Sequence, residues 1–455
     1  MISLGALLLL APFVFSPVAA QQGAINSQDC VQNYDANVDY FPSKIHVDDA
    51  ALFKVHYEKN YKVVTVVSTV PPVSTKDYIL TQCGTPVPDA SKFANGSVFV
   101  SVPVTNAATI ATTPIAFIEM LGRRNTLKLA DTENLVSSPC VQYGLENNQV
   151  IGLEDKNLTL RAEQFASVDV VFSSYGAEKG TENKTVITSE VLDPGPLNRA
   201  EWLEFYSTFF NLEESAQNLT ATINNNYNCF KKSAIAQTTK PVIAWTSYIA
   251  PSAYNKNTAS WTISPAPYKQ ILSTDAGATF FNGTSTATPA TFEDSAAFLE
   301  TIKPVDIIID ETMSGAAMSD FLTNYNLTAD ADFKFLKNKA VYRQDGLVNP
   351  NDGREWFGSA VVQNDAVLQD VIRAVHPQIL PADVPYNWIR NIAKNEAKQV
   401  LTAANCTAKD ASTPVVDRAL VCSNMKVSQP SAASKSVMAG TLSAILGLLA
   451  AAMAL

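Results

Sequence analysis

The chain has 455 residues, 47% of them apolar, with a formal net charge of −10 and a pI near 4.9. That apolar share can build packed cores and excludes an intrinsically disordered chain. The acidic balance excludes nucleic acid as a partner.

Residues 1–20 read as a secretory signal peptide: an apolar run, then Val18-Ala19-Ala20 as the cleavage pattern. Residues 21–95 form a small β-rich segment. Within it, 51–67 alternates apolar and polar, turns at Lys59-Asn60 and resumes, which predicts a hairpin. Residues 97–104 continue as a strand. Residues 114–121 read as a helix closed by Gly122, and 125–130 as a strand. A helix from Arg161 to Phe165 leads into an apolar strand at 168–173, and 185–191 gives another strand.

Residues 199–236 differ. Asn198 can cap a turn, with Glu201 three residues on, and Trp202, Phe205, Tyr206 and Phe209 repeat at helical spacing. After a break near Asn211, Leu212, Ala216, Leu219, Ile223 and Tyr227 extend the stripe as a long helix. Strand and helix then alternate again: a strand at 241–245, helices at 268–272 and 295–302, a buried strand at 305–309 ending on Asp310-Glu311, and a strand at 339–342. Residues 356–375 and 386–402 are predicted as terminal helices, and 403–431 as a polar stalk. The apolar tail 432–455, behind small polar residues, reads as a lipid-attachment (GPI) signal, with Asn424, Ser428 or Ser431 as the acceptor.

The chain thus divides into an N-lobe (96–198), a linking helix (199–236) and a C-lobe (237–402). Each lobe is an α/β unit in which helical crossovers join parallel strands.

Seven Asn-x-Ser/Thr sequons, at Asn95, Asn157, Asn183, Asn218, Asn282, Asn326 and Asn405, call for surface positions and N-glycosylation. An exported chain with six cysteines (Cys30, Cys83, Cys140, Cys229, Cys406 and Cys422) should hold three disulfides. Fifteen pairings are possible, and sequence does not choose among them. Cys83 with Cys140 and Cys406 with Cys422 are the expected pairs. The histidines are His46, His56 and His376 only, so a histidine metal cluster is not expected. No GxSxG, HExxH, P-loop or GxGxxG motif occurs, which points away from an enzyme.

Several segments resemble the periplasmic substrate-binding proteins whose lobes are joined by one long helix: the iron–siderophore, haem and vitamin B12 group with its metal-ion relatives. Residues 299–309 are similar to the family's strand lead-in, with Val305 inserted before Asp306. Residues 339–342 are similar to a later strand, His376-Pro377 to the close of the final helix, and 114–122 to a first-lobe helix. The resemblance spans roughly residues 97–400 and leaves the β-rich segment outside it. It implies an α/β fold of two Rossmann-like lobes joined by one long α-helix, with the β-rich segment as an N-terminal extension. It also implies a small-molecule or metal-chelate ligand held between the lobes.

In such sheets, ligands bind beyond the carboxyl ends of strands. The candidates there are Thr105, Thr109 and Thr112; Ser173 and Tyr175; Trp245, Tyr248 and Trp261; and Asp310 with Glu311, which could hold a cation through oxygens. Aromatic walls with a few hydroxyls favour an organic or chelated ligand over a bare metal ion. No cofactor is specified. The expectation is a monomeric, surface-anchored binding protein on the outer leaflet of the plasma membrane or the cell wall. Two alternatives stand beside it: a structural or adhesive wall glycoprotein that binds nothing, and a hydrolase without a recognised motif.

Overall fold

A computed structural model describes residues 25–69, 73–131, 133–283, 289–415 and 420–422. The expected signal peptide, the apolar tail and the three candidate attachment residues lie outside the described residues.

The chain begins with a four-stranded sheet: β1 Phe53–Tyr57, β2 Tyr61–Ser68, β3 Ser74–Gln82 and β4 Val98–Val102, in the order β1-β2-β3-β4. The predicted hairpin is present, with Phe53 opposite Val66 and Tyr57 opposite Lys62. Side chains alternate across a strand. Val64 and Val66 of β2, Tyr78 and Leu80 of β3, and Val98, Val100 and Val102 of β4 therefore share one buried face. This sheet shares a buried core with the N-lobe, and its fourth strand lies beyond residue 95.

The N-lobe sheet follows: β5 Ala107–Thr109, β6 Leu127–Ala130, β7 Ile151–Gly152, β8 Val170–Ser173 and β9 Thr185–Ile187, in the order β7-β6-β5-β8-β9, all parallel. Its crossovers are α1 Thr113–Met120, α2 Pro139–Glu146 and α3 Leu158–Ala166. Gly122, at φ +65°, turns the chain out of α1, as expected from sequence.

The linking segment is α4 Pro196–Ala200, α5 Trp202–Thr208 and α6 Glu213–Ile235. The aromatic stripe of α5 packs under the first sheet, with Phe53 edge-on to Trp202 at 5.0 Å and to Phe205 at 5.5 Å. The break falls at Asn211, in the left-handed region at φ +58°. A buried network holds it there: the Lys62 ammonium donates to Asn211 Oδ1 at 2.8 Å and to Glu213 at 2.6 Å, and Asn211 Nδ2 donates to Gln82 Oε1 at 2.8 Å. A charge in the core needs such partners. At 1.5 Å per residue, the 23 residues of α6 span about 34 Å.

The C-lobe contains β10 Val242–Ile249, β11 Ser260–Ile263, β12 Thr279–Phe280, β13 Ala290–Phe292, β14 Ile307–Asp310, β15 Val341–Arg343, β16 Leu347–Val348, β17 Arg390–Asn391 and β18 Gln399–Val400. Its main sheet runs β13-β11-β10-β14-β15-β17, with β12 beside the start of β10. The centre is parallel and the flanking strands β11, β13 and β17 are antiparallel. Its helices are α7 Pro267–Asp275, α8 Ser295–Thr301, α9 Met318–Asn324, α10 Lys334–Lys337 and α11 Asn364–Val375.

Two helix expectations are corrected here. Residues 386–402 are not a helix. The buried Asp370 carboxylate collects the N–H groups of Asn387, Trp388 and Ile389, and the Arg390 guanidinium spreads over Asp345 and the carbonyls of Ala316 and Glu396, which holds the backbone extended. The predicted terminal helix at 356–375 begins only at Asn364, after a 3-10 turn.

The disulfides join Cys30 to Cys83, Cys140 to Cys406 and Cys229 to Cys422, replacing both expected pairs. The predicted stalk is consequently tied to the body over its described residues. Arg124 donates to the carbonyls of Asp410 at 2.8 Å and Thr413 at 3.1 Å, and the Val415 N–H reaches the Glu119 carbonyl at 3.0 Å.

Six of the seven sequon asparagines are exposed, and Asn282 is half-buried.

Candidate functional site

The N-lobe strands deliver their carboxyl ends to one cleft. β5 stops at Thr109 and releases residues 110–113, which open α1. β8 stops at Ser173, whose hydroxyl donates to the Gly176 carbonyl at 2.7 Å and accepts the Tyr175 N–H at 3.2 Å. That tight turn pushes Tyr175 outward. β9 stops at Ile187, and Thr188 follows it into the cleft.

The facing wall comes from the C-lobe. Met313 lies beyond β14, and the loop 352–354 leads to Phe357. Thr113 donates its hydroxyl to the Phe357 carbonyl at 2.8 Å, and Asn349 donates to the carbonyls of Asn134 and Val136 at 2.8 and 3.1 Å. The lobes thus meet below the cleft without filling it. A third wall comes from the first sheet, through Val66 and Ser68 at the end of β2 and Ser74 and Lys76 at the start of β3.

The cleft has a volume of about 930 Å³, at the upper end of the range for small-molecule sites. Its surface is mainly apolar. Leu135, Val191, Leu192, Met313 and Phe357 all line it and remain 39–68% exposed. Large apolar side chains left facing water in one concavity mark a binding surface rather than ordinary scatter.

Of the sequence candidates, Thr112 and Tyr175 line this cleft. Ser173 stands behind it and shapes the turn. Thr109 is fully buried at the strand end. Thr105 lies at the opposite, amino end of β5, where its hydroxyl donates to Asp169 at 3.0 Å.

The C-lobe candidates are engaged in the interior. Trp245 is buried and donates its indole N–H to Ser273 at 3.0 Å. Trp261 donates to the Asn324 carbonyl at 2.9 Å and packs on Tyr248, 5.6 Å between centroids. Asp310 is buried against Arg343 and accepts from Tyr325 at 3.0 Å and from Thr312 at 2.5 Å. Glu311 pairs with Lys269 at 2.5 Å. Both carboxylates are committed to cations already present, so neither is open to a metal ion. Among the described residues, no group of three His, Cys, Asp or Glu could hold one. His376 is buried, 3.3 Å from the Gly277 carbonyl, and burial lowers its pKa.

Sequence reasoning missed the first-sheet wall and the Met313 to Phe357 wall. One signal was present: Lys76 stands two residues before Tyr78 on the apolar register of β3, where a core side chain would be expected.

The sequence matches no protein-family model and no curated protein. Among solved structures, the chain is similar to bacterial periplasmic binding proteins. One from Veillonella parvula is 12% identical at a TM-score of 0.48, over 69% of this chain and 98% of that one. Helicobacter pylori CeuE with bound Ni(II) is 15% identical at 0.45, over 68% and 94%. A periplasmic heme-binding protein from Pseudomonas aeruginosa is 12% identical at 0.43, over 62% and 96%. At these scores the likeness carries no argument about the site. The α/β reading rests on the strand order, the parallel registers and the long linking helix described above.

Proposed function

We propose that this chain is a cell-surface solute-binding protein that captures one small ligand between its lobes. The observation that carries this is the open, largely apolar cleft of about 930 Å³ at the carboxyl ends of the N-lobe strands. An amphipathic organic molecule or a chelate in an organic shell suits such walls; a bare transition metal does not. The ligand classes to try are ferric chelates, haem and corrinoids, with divalent metal ions as a contrast. The absence of a recognised catalytic motif favours binding over turnover.

The export and anchoring reading rests on the sequence: the leader, the apolar tail and the sequons. Release of the protein from intact cells by a phosphatidylinositol-specific phospholipase tests the lipid anchor. Retention after that treatment removes it.

The ligand reading is tested by thermal stability against each candidate class. A ligand at 100 times its Kd adds about 2.7 kcal/mol to unfolding, enough for a clear shift in midpoint. Stabilisation by none of them sinks the receptor reading and leaves the structural wall glycoprotein. Turnover of a wall polysaccharide replaces it with the hydrolase.

A further inference from the structure

The first sheet is the unusual wall of the cleft, and its chemistry differs from that of the others. In β2 and β3, Val64, Val66, Tyr78 and Leu80 share the face that packs on the N-lobe core. Lys76 pairs with Val66 in register and stands two residues before Tyr78, so its side chain leaves from that same face. The Tyr78 hydroxyl accepts the Ile187 N–H at 2.7 Å, which locks this face over the end of β9. Lys76 lies one pleat further along and lines the cleft.

Among the described residues, its ammonium has neither a hydrogen bond nor an ion pair within 4 Å; the acid whose charge acts on it is Glu182. Burial against apolar surface disfavours the charged form and lowers its pKa. A half-buried cation on the apolar face of a sheet, without a partner of its own, is costly to keep.

Two of the three charges lining the cleft are positive. The charged groups lining it are Lys76, Arg354 and Asp352. Asp352 is taken by Lys398 at 2.7 Å. Arg354 donates from Nη2 to the carbonyls of Thr312 and Met313, at 2.6 and 2.9 Å, while its buried Nη1 has no hydrogen-bond partner among the described residues, so the guanidinium adds a positive charge to the wall. The cleft is therefore cationic in a chain of net charge −10.

Building on the ligand-binding reading above, we infer that Lys76 is an anchor for the acidic group of the ligand, and that the ligand is an amphipathic anion. It carries a carboxylate, phosphate or sulfonate at the first-sheet wall and an apolar body against Leu192, Met313 and Phe357. The first sheet is thus part of the binding site and sets its charge preference.

The test uses the full exported chain and two fluorescent probes with nearly the same apolar body: 1-anilinonaphthalene-8-sulfonate, an anion, and neutral N-phenyl-1-naphthylamine. Wild type should bind one equivalent of the sulfonate about tenfold more tightly than the neutral dye. Lys76→Met should abolish that preference while leaving the neutral dye and the melting temperature unchanged; Lys76→Arg should keep it. Glu182→Gln, which removes the competing acid, should tighten the sulfonate only. Leu192→Trp should weaken both dyes by filling the cleft.

A sulfonate preference that persists in a folded Lys76→Met overturns the anchor. So does equal binding of the two dyes by wild type, which leaves the cleft reading standing. Should Lys76→Met not fold, an unchanged sulfonate affinity in Glu182→Gln overturns the anchor instead. Failure of both dyes to bind, or binding undiminished in Leu192→Trp, overturns the cleft reading and the anchor with it.

Discussion

Cys140, on the second helix of the N-lobe, is bonded to Cys406, in the segment that follows the C-lobe, across 266 positions of sequence. The bond ties one lobe to the trailing chain of the other. Around it, Arg124 and the Glu119 carbonyl grip residues 408–415, and Gln142 donates to the Leu401 carbonyl at 3.2 Å. The first lobe is therefore joined covalently to the chain that trails the second, besides the linking helix and the contacts below the cleft.

Removing that staple should loosen the lobes before it unfolds them. Chain entropy sets an upper estimate of about 5.6 kcal/mol for a loop this long. Cys140→Ala with Cys406→Ala should lower the urea midpoint markedly and speed amide exchange in 401–415 and in α2. Unchanged exchange there would show that the non-covalent contacts hold the lobes by themselves.

Asp310 should matter for stability and not for ligand. Its carboxylate answers Arg343 in the C-lobe interior, both groups being fully buried. Leaving one member of a buried pair alone costs about 3–5 kcal/mol, an upper bound here because Arg343 keeps Asp345 at 3.3 Å. Asp310→Asn should show this cost in denaturant, with dye affinity per folded molecule unaltered. A selective loss of affinity in a stable variant would return Asp310 to the site.

Stability should fall between mildly acid and mildly alkaline pH. Burial, with Glu201 nearby, pushes the Glu204 carboxyl up to about 8, and burial pushes Glu190 up to about 7, from the ordinary 4.5. Between 4.5 and these values the folded chain holds protons that the unfolded chain releases. The contribution is complete below about 4.5 and is lost as pH rises through 7 to 8, by at most about 1.4 kcal/mol per pH unit for each group. Glu204→Gln, which keeps the neutral shape, should flatten the slope. A wild-type slope unaltered by that change would refute the assignment.

Carbohydrate should not obstruct the cleft. None of the seven sequon asparagines lines it. Chain made in a eukaryotic secretory host should lose mass on enzymatic deglycosylation, and its dye affinity should change by less than twofold. A larger change would place a glycan at the mouth.

What could be read from sequence was local. The 51–67 alternation and its turn, the glycine exit from α1, and the break at Asn211 all depend on neighbours within a few residues, and the structure has them. Contacts between distant parts were not legible. Trp245 and Trp261 look like cleft aromatics in sequence because aromatic residues suit both cores and ligands; only their partners, Ser273 and Asn324, decide. Cysteine pairing depends on how the trailing segment folds back, which spacing does not encode. Residues 386–402 have helical composition, yet Asp370 and Arg390 draw their polar groups into extended chain.

The bond from Cys422 to Cys229 gives the molecule a definite point of mechanical loading. Tension applied downstream of Cys422 would enter through that sulfur bridge in the last third of α6, whose buried face packs into the cores of both lobes through Ala216 and Ile223 on one side and Tyr227 and Phe230 on the other. A pull on the chain beyond residue 422 would therefore load the linking helix before it reached the cleft walls.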